Sequence, residues 1–584
     1  MFSIRSFGLL FVFCCFFSCK NQEFKGEKVT EERSASFATY CNPLDLDYRF
    51  QLEEPSRREA ADPTILWFKD RYYLFASKSG GFWHSKDLVD WVFEETRTIP
   101  VEDYAPTAIA IRDTLYFLAS SHERNTIYKT SDPLEGEWEV ARKDIEVPVW
   151  DPAFFLDDDE RLYLYWGCSD KEPLLGVELD YRKNFNFLGT PTVLKHAEPE
   201  RFGWEVPGDY NTLTGQAPWI EGAWMNKHNG KYYLQYSGPG TEFKSYSDGV
   251  YVSEGPLGPF VPQEHNPFAY KPEGFAAGAG HGSTFKDIYG NYWHIGTITI
   301  SQKHMFERRL GLYPAFFDDS GVLYTNTSFG DYPKFIPRSR IDNFQDTFPD
   351  WMLLSYKKPV EVSSSIDSLA PENMNDEDIR TLWAAKSGAV NEFAMIDLEE
   401  VGAVAAIQLN FAEFQTNLFG RTPGNKFRYR ISGSVDKKNW TLLVDRSQND
   451  SDRTHNYHPL DSLGGYRFIR VENLEVPSGS FAISGFRIFG KGSGAKPDAT
   501  LGLAVIRNTA DRRSCRLSWD KVTGATGYEV HYGSAPDKLY QSYMVYQDTT
   551  LEIHSLSSDQ HYYFSIDSFN ENGVSSGQEL VTLE

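Results

Sequence analysis

Three acids and a histidine recur at one point of a repeated sequence pattern. The segments are Ala61-Asp62-Pro63, Tyr104-Ala105-Pro106, Trp150-Asp151-Pro152, Ile220-Glu221-Gly222 and Gly280-His281-Gly282. Asp62, Ala105, Asp151, Glu221 and His281 hold the equivalent position. An Asp before Pro is an ordinary turn former, but three acids in register across five repeats point to a shared pocket. Clustered carboxylates suit glycoside hydrolysis, in which one acid must be protonated to release the leaving oxygen and another ionised to activate water or attack carbon. Like charges held close raise one pKa and so separate the two roles.

The elements that must position these residues follow from the rest of each repeat. A strand-like run is followed by a turn with Asp, Asn or Gly and a second strand rich in aromatics, as in Asp70-Arg71-Tyr72-Tyr73-Leu74 and Asn229-Gly230-Lys231-Tyr232-Tyr233. That is a hairpin signature. The equivalent positions lie 43, 46, 70 and 60 residues apart, and a four-stranded propeller blade needs about 40–50 residues. The pattern predicts an all-β fold whose first part is a five-bladed β-propeller over residues 38–340. The innermost strands line its channel. The segments after Ser85, Ser131 and Ser253 read as turns following a blade strand. Long insertions are expected from Glu178 to Gln216 and from Gly238 to Gly249.

The motifs resemble those of glycoside hydrolase family 43. The Asp-Pro of repeat one, the Trp-Asp-Pro of repeat three and the Ile-Glu-Gly of repeat four are similar to its three acid motifs. The resemblance implies that Asp62 is the general base, Asp151 orients the acid and tunes its pKa, and Glu221 is the general acid. It implies inversion at the anomeric carbon, with Asp62 and Glu221 about 6.5–9.5 Å apart. Arg308, in the period-two run Arg308-Arg309-Leu310-Gly311-Leu312, resembles the family's sugar-contacting arginine. His281 resembles its channel histidine, which faces a structural Ca²⁺ through water. No cofactor is required, and no motif here supplies a full oxygen cage for calcium. Trp83, Phe82 and Trp224 are the candidate sugar-stacking rings.

Two further domains are expected. Residues 345–492 carry short alternating strands and resemble the discoidin, or F5/8 type C, jelly roll through Leu382-Trp383, Ala394 to Leu398, Gly433 to Trp440 and Tyr466 to Val471. Gly492-Ser493-Gly494 and Lys496-Pro497 form a linker. Residues 498–584 resemble a fibronectin type III sandwich, with Leu517-Ser518-Trp519, Gly527 to Tyr532, and Tyr562 as the tyrosine corner.

Composition narrows the partners. The chain has 584 residues, 58 Lys plus Arg against 82 Asp plus Glu, and a net charge of −24. That sign repels phosphate backbones and disfavours a polybasic membrane contact, so no nucleic acid is expected. Aromatics make up 15% of residues, too many for a disordered chain. An oligo- or polysaccharide fits. Residues 1–18 read as a lipoprotein signal peptide and Phe16-Phe17-Ser18-Cys19 resembles a lipobox, making Cys19 the lipid-modified residue and 19–37 a tether. Cys41, Cys168 and Cys515 show no metal or disulfide spacing and read as buried free thiols.

Together these readings describe a monomer of the bacterial cell envelope, anchored by lipid at the outer membrane or cell surface. Its expected activity is release of terminal pentose from plant polysaccharide, as an α-L-arabinofuranosidase or β-xylosidase. A galactofuranosidase or galactosidase on the same fold, and a non-catalytic glycan-binding lipoprotein, remain open at this point.

Overall fold

The computed structural model describes residues 38–584 except 97, 100–103, 122, 123, 136 and 421–423. The signal peptide, the tether and Cys19 lie outside the described residues. Each of the five repeats forms one antiparallel sheet with its strands in sequence order. The first strands are Thr64–Phe68, Thr107–Ile111, Ala153–Leu156, Glu221–His228 and Gly280–Lys286. Each packs against the next, and the fifth returns to the first, so the sheets close into a ring. Aromatic second strands such as Arg71–Phe75 and Leu162–Trp166 supply the packing between blades.

The ring is sealed by the segment ahead of blade one. Ala38–Tyr40 pairs with Lys334–Ile336. Asn42 takes both backbone groups of Leu312 in blade five, accepting from its N–H at 3.0 Å and donating to its C=O at 2.9 Å, and Leu44 donates to Leu310 O at 3.0 Å. A side-chain amide in this position satisfies a strand edge that would otherwise be left unpaired.

The insertion expected from Glu178 begins later, because Glu178 lies inside the third strand of blade three, Leu174–Asp180. An extra strand, Thr192–Lys195, then pairs on that strand. The loop beyond it buries Trp204 and Glu205, and Glu205 is held by Lys195 at 3.3 Å and by the Tyr236 hydroxyl at 2.5 Å.

An eight-stranded jelly-roll sheet system runs from Met352–Leu353 to Ala482–Lys491, around a core that includes Trp383, Phe411, Tyr429 and Phe481. The last domain has two facing sheets. One holds Ala504–Arg507, Cys515–Ser518 and Thr550–Ile553, and the other is centred on Gly527–Gly533 and Tyr562–Asn570. The Tyr562 hydroxyl accepts the Ser557 N–H at 2.9 Å, a short return to the backbone upstream. The glycine linker is pinned to this domain: Gly492 N–H donates to Glu571 O and Gly494 N–H to Asn572 Oδ1, both at 2.8 Å.

The three domains share one apolar cluster, in which Phe329 and Tyr332 of the propeller meet Met352 and Phe489 of the jelly roll and Met544 and Phe569 of the last domain. Arg487 crosses the same junction fully buried. It binds Glu377 at 2.9 and 2.8 Å, Gln408 Oε1 at 2.9 Å and the propeller's Asp331 O at 2.5 Å. Removing one member of a buried ion pair costs about 3–5 kcal/mol, because the other charge is left uncompensated. Arg487→Ala is therefore expected to lower the melting temperature of the whole chain in calorimetry, and Arg487→Met with Glu377→Leu to restore much of it. An unchanged melting temperature for Arg487→Ala would show that this junction does not hold the domains.

Candidate active site

The site is built on five left-handed residues. Asp62, Ala105, Asp151, Gly222 and His281 have φ of 54°, 49°, 51°, 60° and 41°. Each follows the residue that pairs with the end of its blade's second strand: Ser77 N–H donates to Ala61 O, Ser120 N–H to Tyr104 O and Gly167 N–H to Trp150 O, while Glu221 pairs with Ser237 and Gly280 with Thr297. The register read from sequence is therefore corrected in blade four. The equivalent of Asp62 and Asp151 is Gly222, and Glu221 stands one residue earlier. Gly222 cannot carry a side chain: a Cβ there would sit 2.8 Å from the His281 ring and 2.9 Å from Ser237 Oγ.

Hydroxyls tie the blades together at this level. Ser77 Oγ accepts the Ala105 N–H at 2.8 Å, Ser120 Oγ the Asp151 N–H at 2.8 Å, Ser237 Oγ the His281 N–H at 2.6 Å and Thr297 Oγ1 the Asp62 N–H at 3.0 Å. In each case a residue of one blade satisfies the backbone of the next. Blade three has Gly167 at this position and contributes no hydroxyl.

Three carboxylates converge there. Asp62 Oδ2 accepts from Ser77 Oγ at 2.5 Å, and its Oδ1 faces Arg308 Nη1 at 3.1 Å and His281 Nδ1 at 3.3 Å. The same imidazole nitrogen lies 3.7 Å from Asp151 Oδ2. Ligating atoms of Asp151, Cys168 and Glu221 all lie within 4.8 Å of one another. Cys168 Sγ donates to Glu221 Oε2 at 3.1 Å, and the Tyr246 hydroxyl donates to Oε1. Arg308 is buried and also binds Glu59 Oε1 at 2.5 Å and Thr241 Oγ1 at 3.0 Å, with Phe306 and Tyr104 against its guanidinium.

Burial is the largest influence on Asp151, and it lifts the carboxyl to about 7. His281 opposes the rise, while Glu221 and Asp62 add to it. Burial pulls His281 down, but Asp62, Asp151, Glu221 and Asp248 together outweigh it and leave the imidazole above its ordinary value. Burial and the adjacent Asp151 and Glu221 push the Cys168 thiol well up, so it is present as S–H. The oxygens of Asp62 and Asp151 that face His281 Nδ1 lie at 3.3 and 3.7 Å, and these carboxylates also accept from Ser77, Arg308 and Ser120. They do not form the six-to-eight-oxygen cage that calcium takes.

Two of the expected sugar-stacking rings are corrected. Trp83 and Phe82 are both fully buried, Trp83 in the core between blades one and five and Phe82 in that between blades one and two. They sit on successive positions of one strand, so they point to opposite faces of a sheet that is covered on both. Trp224 is half-buried, and its indole N–H donates to Thr284 O across the gap between blades four and five. The rings beside Arg308 are Tyr104 and Phe306, themselves in contact at 5.2 Å. Tyr104 was visible in sequence as the residue before the second repeat's left-handed position. Tyr246 and Thr241 carried no such signal. Cys168, expected to be a buried free thiol, is half-buried and touches Glu221; Cys41 and Cys515 are buried and free.

Residues 56–322 match the model of Glycosyl hydrolases family 43, and residues 359–484 that of the F5/8 type C domain. The chain is thus similar to family 43 over its first matched stretch and to the F5/8 type C domain over its second. A β-xylosidase of Xylanibacter ruminicola is 28% identical over 154 residues, 23% of this chain, and the match spans 42% of that protein's length. Among solved structures, a glycoside hydrolase aligns with 19% identity over 74% of this chain and 97% of its own, with a TM-score of 0.45. A thermostable family-43 glycoside hydrolase aligns with 23% identity over 52% and 100%, with a TM-score of 0.42. A Bacteroides ovatus xyloglucan-locus protein, GH43B, aligns with 14% identity over 92% and 97%, also with a TM-score of 0.42. The two family matches and the β-xylosidase relative support a glycosyl hydrolase.

A raised carboxyl has a consequence for stability. The folded pKa of Asp151 lies above its unfolded value, so its contribution is fully present below about pH 4 and is lost as pH rises through about 7. Asp151→Asn removes that loss. In thermal melts the variant should gain on the wild type from pH 5 to about pH 7, reaching several degrees, and the gain should level off from there to pH 8. A constant difference across that range would mean that Asp151 is not held protonated by the fold.

Proposed function

We propose that the chain is a lipid-anchored, exo-acting glycoside hydrolase that inverts the anomeric carbon and releases terminal pentose from plant polysaccharide. The observation that carries this reading is the convergence of Asp62, Asp151 and Glu221 at one mouth of the ring, with Arg308 and His281 among them. Asp62 is the general base, its two oxygens oriented by Ser77 and Arg308 so that one can take a proton from water. Glu221 is the general acid, aligned by Tyr246 and Cys168. Asp151, its carboxyl lifted to about 7 by burial, stands beside it and orients it. Arg308 and the Tyr104–Phe306 pair form the wall against which the terminal sugar packs. The relative named a β-xylosidase supports pentose as the sugar. The jelly roll and a fibronectin type III-like last domain complete the chain, and Cys19 supplies the anchor.

Removing a general acid or base costs typically about 10²–10⁴-fold. The two roles are separated by the leaving group. Asp62→Asn should lose activity equally on an aryl pentoside and on an oligosaccharide. Glu221→Gln should lose much less on the aryl substrate, whose leaving group departs without a proton. Wild-type hydrolysis by both variants would overturn the mechanism. Retention of anomeric configuration in the first product seen by NMR would overturn the assignment of Asp62 as base to water.

A further inference from the structure

The jelly roll reaches into the mouth of the site through one turn, residues 375–381. The turn is braced from within: Arg380 N–H donates to Asp378 Oδ1 at 2.9 Å and the Thr381 hydroxyl to Asp376 Oδ2 at 2.8 Å. Ile379 anchors it in an apolar cluster with Phe275, Ala276, Ile298 and Ile300 of the propeller, and its N–H donates to Phe275 O at 3.2 Å. Arg380 then makes two contacts. Nη1 donates to Asp209 Oδ2 at 2.9 Å and Nη2 to Glu242 O at 3.3 Å.

Both contacts lead to the catalytic side chains by short covalent steps. Glu242 follows Thr241, whose hydroxyl accepts from Arg308 Nη1 at 3.0 Å. The other oxygen of Asp209 accepts the Lys244 N–H at 2.9 Å, and Ser245 Oγ donates to Gly208 O at 2.8 Å. Tyr246, the next residue, donates its hydroxyl to Glu221. Lys244 Nζ returns to the jelly roll at Asp378 Oδ2, 3.5 Å away. The loop 241–246 is thus gripped at both ends by the jelly roll, beside the residue that orients Arg308 and beside the one that orients Glu221. The same turn takes a hydrogen bond at Arg380 O from Gln302, in the loop that carries Phe306.

We infer that the jelly roll is a working part of the active site and that Arg380 is a positioning residue for Glu221 and Arg308. The inference rests on the proposed hydrolase reading for what those two residues do. Arg380 and Asp209 are 22% and 34% exposed, so solvent screening discounts what the pair adds to folding. Misplacement of a reacting group by about 1 Å costs up to about 10²-fold in rate.

The test is a kinetic cycle on the full chain. Arg380→Ala should lower kcat/KM about 10- to 100-fold while the melting temperature moves by no more than a few degrees. In a chain already carrying Thr241→Val and Tyr246→Phe, the same change should cost at most about twofold, since the links it acts through are gone. Arg380→Lys, which can keep only one of the two contacts, should fall between. Asp209→Asn cuts the link from the propeller side and is read the same way if Arg380→Ala does not fold. Wild-type kcat/KM for Arg380→Ala, or an equal loss in both backgrounds, overturns the inference. Full activity of Glu221→Gln would instead overturn the hydrolase reading. Calorimetric affinity for a xylo- or arabino-oligosaccharide then decides, and equal binding by wild type and Arg380→Ala would overturn the role of the turn.

Discussion

The hydrogen bond from a left-handed residue of one blade to a hydroxyl of its neighbour is the contact on which the site depends. A non-glycine residue at positive φ is uncommon, and it persists only where the surroundings over-determine it. Here its N–H is taken by Ser77, Ser120, Ser237 or Thr297 of the preceding blade. The kink so fixed turns Asp62, Asp151 and His281 inward from the strand ends. Asp62, Asp151 and His281 therefore each owe their direction to a blade to which they do not belong. Gly167 supplies no hydroxyl in blade three, and Gly222 leaves room for the His281 ring, while Cys168, Asp151 and Glu221 meet beside them. Glu221 enters there from a different backbone position than Asp62 and Asp151.

Charge balance is the second consequence of that crowding. Asp62, Asp151, Glu221, Glu59 and Asp248 face the buried guanidinium of Arg308 and the imidazole of His281. Buried charge is tolerated only when paired, and the pairing is uneven. Arg308 spans Glu59 and Asp62, leaving Asp151 with His281, the Cys168 thiol and the Ser120 hydroxyl. The same burial then lifts Asp151 to about 7.

Much of this was legible in the sequence, for a specific reason. Blade hairpins repeat their turn and aromatic positions, so Asp62, Asp151, Glu221 and His281 could be aligned without coordinates. The alignment was one residue out in blade four because glycine, which adopts positive φ freely, replaces the side chain that would have marked the register. Arg308 was marked by its resemblance to the family's sugar-contacting arginine, which the strand pattern alone does not single out. Trp83 and Phe82 were misjudged because an aromatic on a blade strand looks the same whether its face is covered or open, and both faces of blade one are covered. Thr241, Tyr246 and Arg380 reach the site from loops and from another domain, where no periodicity reports position.

The junction of the three domains bears on what kind of unit performs the chemistry. Domains joined only by flexible linkers move independently unless their interface is large and apolar. Here a common apolar cluster, the buried Arg487 and the pinned glycine linker leave little freedom between propeller, jelly roll and last domain. A rigid junction is what allows a side chain on the jelly roll to define a distance inside the propeller. Glu413 and Asp452 of the jelly roll bind Arg58, and Arg309 donates to His455 at 2.9 Å. Arg58 precedes Glu59, the partner of Arg308, and Arg309 follows Arg308 itself. The strand ends that carry Arg308 are thus held from behind by the second domain, while the loop over them is held in front.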